Sequence, residues 1–405
     1  MSVPSPTAHG PCAAPQWVPE IFRPYPDSEA VVFARVAARS EVFGSTSAGG
    51  GERILVGSAA GASADDVAAR ARGELMERMG NVLTGREAES GTLTATRTAT
   101  YTELRRLGIP AVDPAVWGTA ASRAARQLWV QGRSLNAECE MWVPAGAAFL
   151  QHRPPPGCTA TIQVGSTGVA AHPRRESATA HAAWEILERE LIRRSWCAPH
   201  HHRPSMHDAL SGQAGLPHDL RALLVREQLC ATVLLPPAPQ QMHLVVVCLH
   251  TEDGHRQSFG ASCGPPGAST TALAKAAFEA LMVRWSMGTT AADRARQRLA
   301  SAGRPRGAVE HALWAFHHQD ALSHWQGADH ASGDGLVPGP AEGSGLGSPD
   351  PVNLLSEYTG LDVITVDCAT GPPRTEDLSV VRLVAPGARP LPTRTDPGVP
   401  PHPFG

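Results

Sequence analysis

The chain has 405 residues, 42% of them apolar, enough to bury a large core, so wholesale disorder, a fibre and a small disulfide scaffold are excluded. Its 35 basic and 38 acidic side chains leave a formal charge of −3, which gives no field to attract nucleic acid or a membrane surface. With 39 glycines and 36 prolines, well above their usual combined share of roughly 12%, long connections are expected.

In chain order, residues 1–28 are proline-rich without periodicity and predict an extended arm, followed by one large domain over 29–390. Val67, Ala71, Leu75 and Val82 recur at helical spacing, and Ser63 with Asp66 forms a capping-box variant. This predicts a helix over 62–84, ended by Gly85. Short apolar runs predict strands at 141–143 and 160–164. A stripe of Ala180, Trp184, Leu187 and Leu191 predicts a second long helix over 176–196. Strands at 231–235 and 243–250 precede a third helix over 269–287, closed by Gly288. Residues 327–351 are Gly, Ser, Pro and Asp with little to bury and predict a mobile surface loop. Strands at 363–367 and 379–385 then lead to a proline-rich tail over 391–405, whose φ angles are largely preset. Strands interleaved with long helices make an α+β or α/β plan.

Lys275 is the only lysine, and it sits in Leu-Ala-Lys-Ala, so a P-loop nucleotidase is excluded. Any polyanion must be held by arginine forks. The eight cysteines are scattered without a Cys-x-x-Cys pair, which excludes a zinc ribbon or thioredoxin-type centre and fits the cytoplasm. No signal peptide and no membrane-length apolar run is present.

The chemistry-bearing signal is an internal echo. Glu74-Leu75-Met76-Glu77-Arg78 on the first helix matches Glu185-Ile186-Leu187-Glu188-Arg189 on the second, and Glu279 to Arg284 on the third is a degenerate copy. Carboxylates three apart share a helix face, with the arginine four on from the first Glu. One such face is ordinarily a solvated surface. Two matched copies with aliphatic spacers, plus a partial third, point instead to facing helices that hold Mg²⁺ by hard oxygens and phosphate by arginine. Three other features have simpler readings. Gly260-Ala261-Ser262-Cys263-Gly264 resembles a hydrolase elbow, but Pro265 and Pro266 follow where a helix is needed, so a loop is expected. Cys197, His200, His201, His202 and His207 read as a solvated loop broken by Pro199 and Pro204, with a metal site as the alternative. Lys275 reads as a helix-surface residue.

Taken together, Ser166-Thr167-Gly168-Val169-Ala170-Ala171, then Glu185 to Glu190, resembles the hallmark of YcaO-domain proteins, which read Ser-Asn-Gly-Leu-Ala-Ala and Glu-Leu-Ile-Glu-Arg-Asp. Gly73 to Arg78, Glu279 to Arg284, Thr359 to Val363, Arg382 to Gly387 and the tail Pro401 to Phe404 agree in order, from about residue 45 onward. The resemblance implies an α+β, YcaO-like fold with sheets packed on the motif-bearing helices. It also implies an ATP- and Mg²⁺-dependent cyclodehydratase of ribosomal peptide biosynthesis. In such enzymes a substrate Cys, Ser or Thr attacks the preceding carbonyl, ATP phosphorylates the resulting oxygen, and phosphate leaves to give a thiazoline or oxazoline. Thioamide and macroamidine formation use the same activation. Mapped by motif, Glu74, Glu77, Glu185 and Glu188 would hold Mg²⁺. Arg78, Arg189, Glu279, Arg284 and Ser166 would bind ATP. Glu74, Glu188 and the tail residues Pro403 and Gly405 would take part in catalysis. The partners implied are a precursor peptide and an E1-like or ThiF-like leader-binding protein, since the arm is too short for a leader-binding domain; a homodimer is also allowed. Met282 stands where the family has Gln, and Ala59-Ala60-Gly61 where it often has Gly-Lys-Gly. A catalytically impaired scaffold is the alternative these departures raise.

Overall fold

The computed structural model describes residues 17–44, 54–210, 215–267, 269–318, 320–326, 349–368, 370–371, 373, 377–389, 391 and 400–404. The chain opens with β1 (Glu20–Phe22), β2 (Val32–Arg39), β3 (Ile54–Gly61) and the long helix α1 (Ala64–Ser90). Next come β4 (Thr96–Ala99), α2 (Tyr101–Arg106), β5 (Gln127–Ser134), β6 (Glu140–Pro144) and α3 (Ala145–Ala148). The centre holds β7 (Val169–His172), α4 (Arg175–Cys197), β8 (Ser205–Asp208), α5 (His218–Arg226), β9 (Cys230–Leu235), β10 (His243–His250) and β11 (Ser258–Gly264). It is followed by α6 (Ser269–Ser286), α7 (Thr290–Ala302), α8 (Ala308–His317), α9 (Asp320–Gln326), α10 (Pro351–Thr359), β12 (Ile364–Asp367) and β13 (Ser379–Val384).

Three sheets result, ordered β1-β2-β3, β11-β10-β9-β8 and β4-β5-β12-β13-β7, with β6 added on β5. Their strand pairs are antiparallel, as in Val32↔Gly61 and Val246↔Ala261, so the fold is α+β. Alternation along β2 explains how the first sheet is covered on both faces. Val32, Ala34 and Val36 pack with Val67, Ala71 and Leu75 of α1, while Phe33 packs with Ala276, Ala277 and Ala280 of α6. Helix α4 buries Ala182, Ile186, Leu187 and Leu191 between Val246 and Cys248 of one sheet and Val381 and Leu383 of another. Each fully buried Leu of this kind contributes about 1.5–3 kcal/mol.

Several expectations are corrected. The first helix runs past Gly85 to Ser90 and is capped by Gly91 at φ 77°. Gly85 is needed inside the helix, because a Cβ there would lie 2.9 Å from Cβ of Phe149. The 160–164 stretch is irregular, not a strand; its apolar Ile162 is spent covering Gly146, where a Cβ would strike the Ile162 carbonyl. Within the arm expected over 1–28, Glu20–Phe22 is extended and pairs with β2. Gly260 to Gly264 lies in strand β11, not a loop: Val245 opposite Ser262 continues the ladder. The 327–351 segment ends in structure, because Asp350 caps α10 and Pro351 begins it; 327–348 lie outside the described residues.

Candidate active site

Two hairpin-and-helix units position the carboxylates in the same way. In the first, Ser58 N–H on β3 donates to Glu74 Oε2 at 2.6 Å. In the second, Ala261 N–H on β11 donates to Glu279 Oε2 at 2.8 Å. Both depend on a glycine one residue earlier. A Cβ on Gly57 would strike the Ala71 carbonyl and lie 2.6 Å from Leu75 N, and one on Gly260 would strike the Ala276 carbonyl and lie 2.5 Å from Ala280 N. Helix and strand approach closely enough for the carboxylate to reach backbone only because that Cβ is missing. Two of the remaining acids are tethered likewise: Ala171 N–H reaches Glu77 Oε1 at 3.1 Å, and Gly168 N–H reaches Glu185 Oε2 at 2.9 Å.

These acids share one electrostatic environment. Burial pushes Glu77 up to about 8, with Glu185 and Glu74 adding to the shift. Burial also raises Glu188 to about 7, helped by Glu279 and Glu185 against the pull of Arg189. Glu185 and Glu279 are raised by burial too, and both feel Glu74. Arg189 lies 3.6 Å from Glu188 Oε1 and 3.8 Å from Glu279 Oε1. Burial works against its charge, but Glu188, Glu279 and Glu185 outweigh that and raise it. Five carboxylates from three helices thus meet three guanidiniums, those of Arg78, Arg189 and Arg382.

Other residues named from the sequence sit as follows. Arg78 donates to Glu74 and to the Val56 carbonyl, so it locks the first hairpin to its helix. Arg284 does not join the carboxylates: it donates to the Arg256 carbonyl and sits over the Phe316 ring at 5.6 Å. It is five residues on from Glu279 instead of four, which turns it about 140° away around the helix. Arg189 meets Glu279 in its place. Ser166 is exposed on a turn closed by Val169 N–H to its carbonyl at 2.9 Å. Pro403 is buried and Gly405 lies outside the described residues. Met282 packs against the apolar core beside α6, away from any polar role. Among the described residues no three His, Cys, Asp or Glu side chains are already drawn together as a metal cage, neither in the Cys197 to His207 stretch nor among the clustered glutamates, of which Glu74, Glu77, Glu185 and Glu279 are held by backbone N–H groups.

Sequence reasoning about residue roles missed Gly57, Gly260, Phe404 and Arg382. The glycines had a signal, a Gly followed by a small residue on the strand before each Glu-bearing helix. The tail is anchored by Trp196 Nε1–H to the Pro400 carbonyl at 2.9 Å and by His402 stacked on His311 at 3.8 Å. Phe404 then packs on Phe259 and Trp325, with the Arg189 guanidinium 5.8 Å from its ring.

A family model described as YcaO cyclodehydratase, ATP- and Mg²⁺-binding, matches residues 58–389. The chain belongs to the YcaO family. Solved structures share the fold. A heterocyclase in complex with substrate and cofactor gives a TM-score of 0.63 at 18% identity, over 93% of this chain and 50% of its own length. YcaO from Methanopyrus kandleri, bound with AMPPCP and Mg²⁺, gives 0.55 at 17% identity, over 92% and 86%. The E. coli microcin synthetase McbBCD complex gives 0.60 at 12% identity, over 93% and 90%. An uncharacterized protein of Methanothermobacter thermautotrophicus is 34% identical over 62 residues, so the match spans 16% of that relative.

ATP and Mg²⁺ are the cofactors of this YcaO chain, and the donor chemistry fits the metal. The cluster offers hard carboxylate oxygens, the donors Mg²⁺ prefers. Burial raises Glu77 and Glu188, and the neighbouring glutamates add to it, so five acids against three guanidiniums leave negative charge for a cation to neutralise. Each tether uses one carboxylate oxygen, and no second hydrogen bond joins Glu77 or Glu185 to another described residue. No helix among the described residues is long and apolar enough to cross a membrane.

Proposed function

We propose that this YcaO chain activates backbone amides of a ribosomally made peptide with Mg²⁺·ATP and converts Cys, Ser or Thr into thiazoline or oxazoline rings. The observation that carries this reading is the convergence of Glu74, Glu77, Glu185, Glu188 and Glu279 in one electrostatic cluster, with Arg189 against Glu188 and Glu279, Arg78 against Glu74, and backbone N–H groups holding Glu74, Glu77, Glu185 and Glu279. When bound, Mg²⁺·ATP supplies the phosphoryl group that makes an amide oxygen a leaving group. Glu74, Glu77, Glu185 and Glu188 would hold the metal, and Arg78, Arg189, Glu279 and Ser166 would orient the nucleotide. Arg284 would act only indirectly, through the β10–α6 region it braces. Phe404 covers one face of Arg189 and excludes water there, which strengthens that guanidinium's field. Pro403 and Gly405 would complete the catalytic wall.

The partners of this reading are a precursor peptide, which the chemistry requires, and, from the family resemblance, an E1-like or ThiF-like protein that presents its leader in the cytoplasm. The test is the precursor's mass after incubation with protein and partner. Loss of one water per ring, with phosphate released and only in the presence of ATP, is expected; rings formed without ATP would refute it. Thioamide or macroamidine products would keep the activation and change the nucleophile. A catalytically impaired scaffold is the second reading, favoured by the half-buried Met282 packed against the apolar core where the family has Gln, and absence of Mg²⁺·ATP binding at millimolar nucleotide would select it.

A further inference from the structure

At the edge of the carboxylate cluster, one buried cation feels Glu185 from a distance but makes no ion pair with a described carboxylate. Arg382 on β13 is only 5% exposed. Its guanidinium donates through Nη1 to the Gly165 carbonyl at 2.8 Å, while the buried Nε has no hydrogen-bond partner among the described residues. No ion pair joins it to a described carboxylate, and burial lowers its pKa to about 10, with Cys368 and Glu185 opposing weakly. A desolvated charge left this way is costly unless a partner arrives.

Arg382 lines a half-open pocket with a cavity volume of about 50 Å³, room for a small group such as a carboxylate. Gly165, Thr167 and Arg389 give it polar edges, and Trp117, Ile186 and Leu383 give it an apolar wall. Arg389 stands at the exposed rim. One loop separates this pocket from the carboxylates: Gly168 donates its N–H to Glu185 and accepts from Leu383 N–H at 2.8 Å. Ile186 therefore faces the pocket while its neighbour Glu185 belongs to the cluster. A bare inorganic anion would meet the arginines and leave the Trp117 wall uncovered. An acidic side chain within a peptide meets both, since its carboxylate matches the guanidinium fork and its flanking residues cover the wall.

We propose that this pocket is a recognition subsite for an Asp or Glu side chain of the peptide substrate, set across the Gly165–Gly168 loop from the carboxylate cluster. The occupant's class rests on the peptide reading above. The test omits nucleotide, so its failure and a failure of ring formation are separable. Full-length protein is titrated by fluorescence anisotropy with dye-labelled, N-acetylated, C-amidated short peptides that differ only by Glu or Gln at one position. The Glu peptide is expected to bind at least about tenfold more tightly, a gap that closes in Arg382→Gln. Should Arg382→Gln fail to fold, Arg389→Ala and Trp117→Ala carry the test: the first narrows the Glu/Gln gap and the second weakens both peptides. Equal affinities of the two peptides, or a gap unchanged in Arg389→Ala and in a folded Arg382→Gln, would overturn the proposal. Inorganic phosphate is the control for a free-anion site. If it saturates the pocket while the Glu peptide gains nothing over Gln, the pocket takes phosphate and the peptide subsite is refuted.

Discussion

Gly57→Ala isolates the contact that sets Glu74. The new Cβ would strike the Ala71 carbonyl and lie 2.6 Å from Leu75 N, both backbone atoms in the middle of α1 that cannot swing aside. Ordinary carbon contacts need about 3.5–4.0 Å, so β3 must move off the helix by roughly 1 Å or more. Overpacking of this kind costs about 1–3 kcal/mol. The shift also lengthens the 2.6 Å hydrogen bond from Ser58 to Glu74, and a bond to a charged group is worth about 1.5–3 kcal/mol. A loss near 3 kcal/mol in urea unfolding is therefore expected, together with a fall in ATP turnover as Glu74 loses its anchor. Gly73→Ala is the matched control, one residue before Glu74 with nothing within 4 Å of the added Cβ. It should stabilise by about 0.5–1 kcal/mol, the usual gain on removing a mid-helix glycine. If Gly57→Ala unfolds within about 0.5 kcal/mol of wild type, the close-approach argument fails.

Gly260→Ala should mirror Gly57→Ala in the second hairpin unit, with a comparable shift in the urea midpoint. Glu74→Gln and Glu188→Gln are expected to abolish phosphate release while circular dichroism stays native; wild-type rates in both would contradict the metal assignment. Mg²⁺ affinity by calorimetry should rise between pH 6 and 8, because Glu77 at about 8 and Glu188 at about 7 hold protons that the metal must displace. The same acids set the sign for stability. Each holds in the folded state a proton the unfolded chain has lost above its ordinary value of 4.5, so metal-free stability falls as pH rises from there toward 8, and a thermal scan that rises instead would refute it. Phe404→Ala removes an aromatic worth about 3–5 kcal/mol of packing, and limited proteolysis should then cut near Pro400 to His402 faster.

The three long helices were legible because each buries a stripe at 3.6-residue spacing. The end of the first was not, since Gly85 reads as a stop until Phe149, distant in sequence, is seen to occupy the missing Cβ's place, whereas the second and third begin and end within a residue of expectation. Ile162 misled for a related reason: an apolar run says that a segment is covered, not that it pairs as a strand. The echoed Glu-x-x-Glu-Arg faces located four of the five acids by pattern, and Glu279 entered as a fragment of a third copy. What the pattern could not show is which arginine each acid meets. A one-residue difference in spacing turns Arg284 out toward Phe316 and leaves Glu279 to Arg189 of another helix. Arg382 opens a segment that matches the family pattern, but its role was not legible, because an arginine in a strand looks like any edge residue until its burial is known.

The acids that repel one another come from α1, α4 and α6, and the ring that covers Arg189 comes from the last described residue of the chain. During synthesis each helix can therefore dock on its own hairpin or sheet without meeting the others' charge, and the repulsion arises only when the late, long-range contacts close. Fragments that stop short of α6 lack Glu279 and should hold the Glu188 proton less tightly than the full chain does, whereas closure of the full cleft is the step that Mg²⁺ is expected to favour.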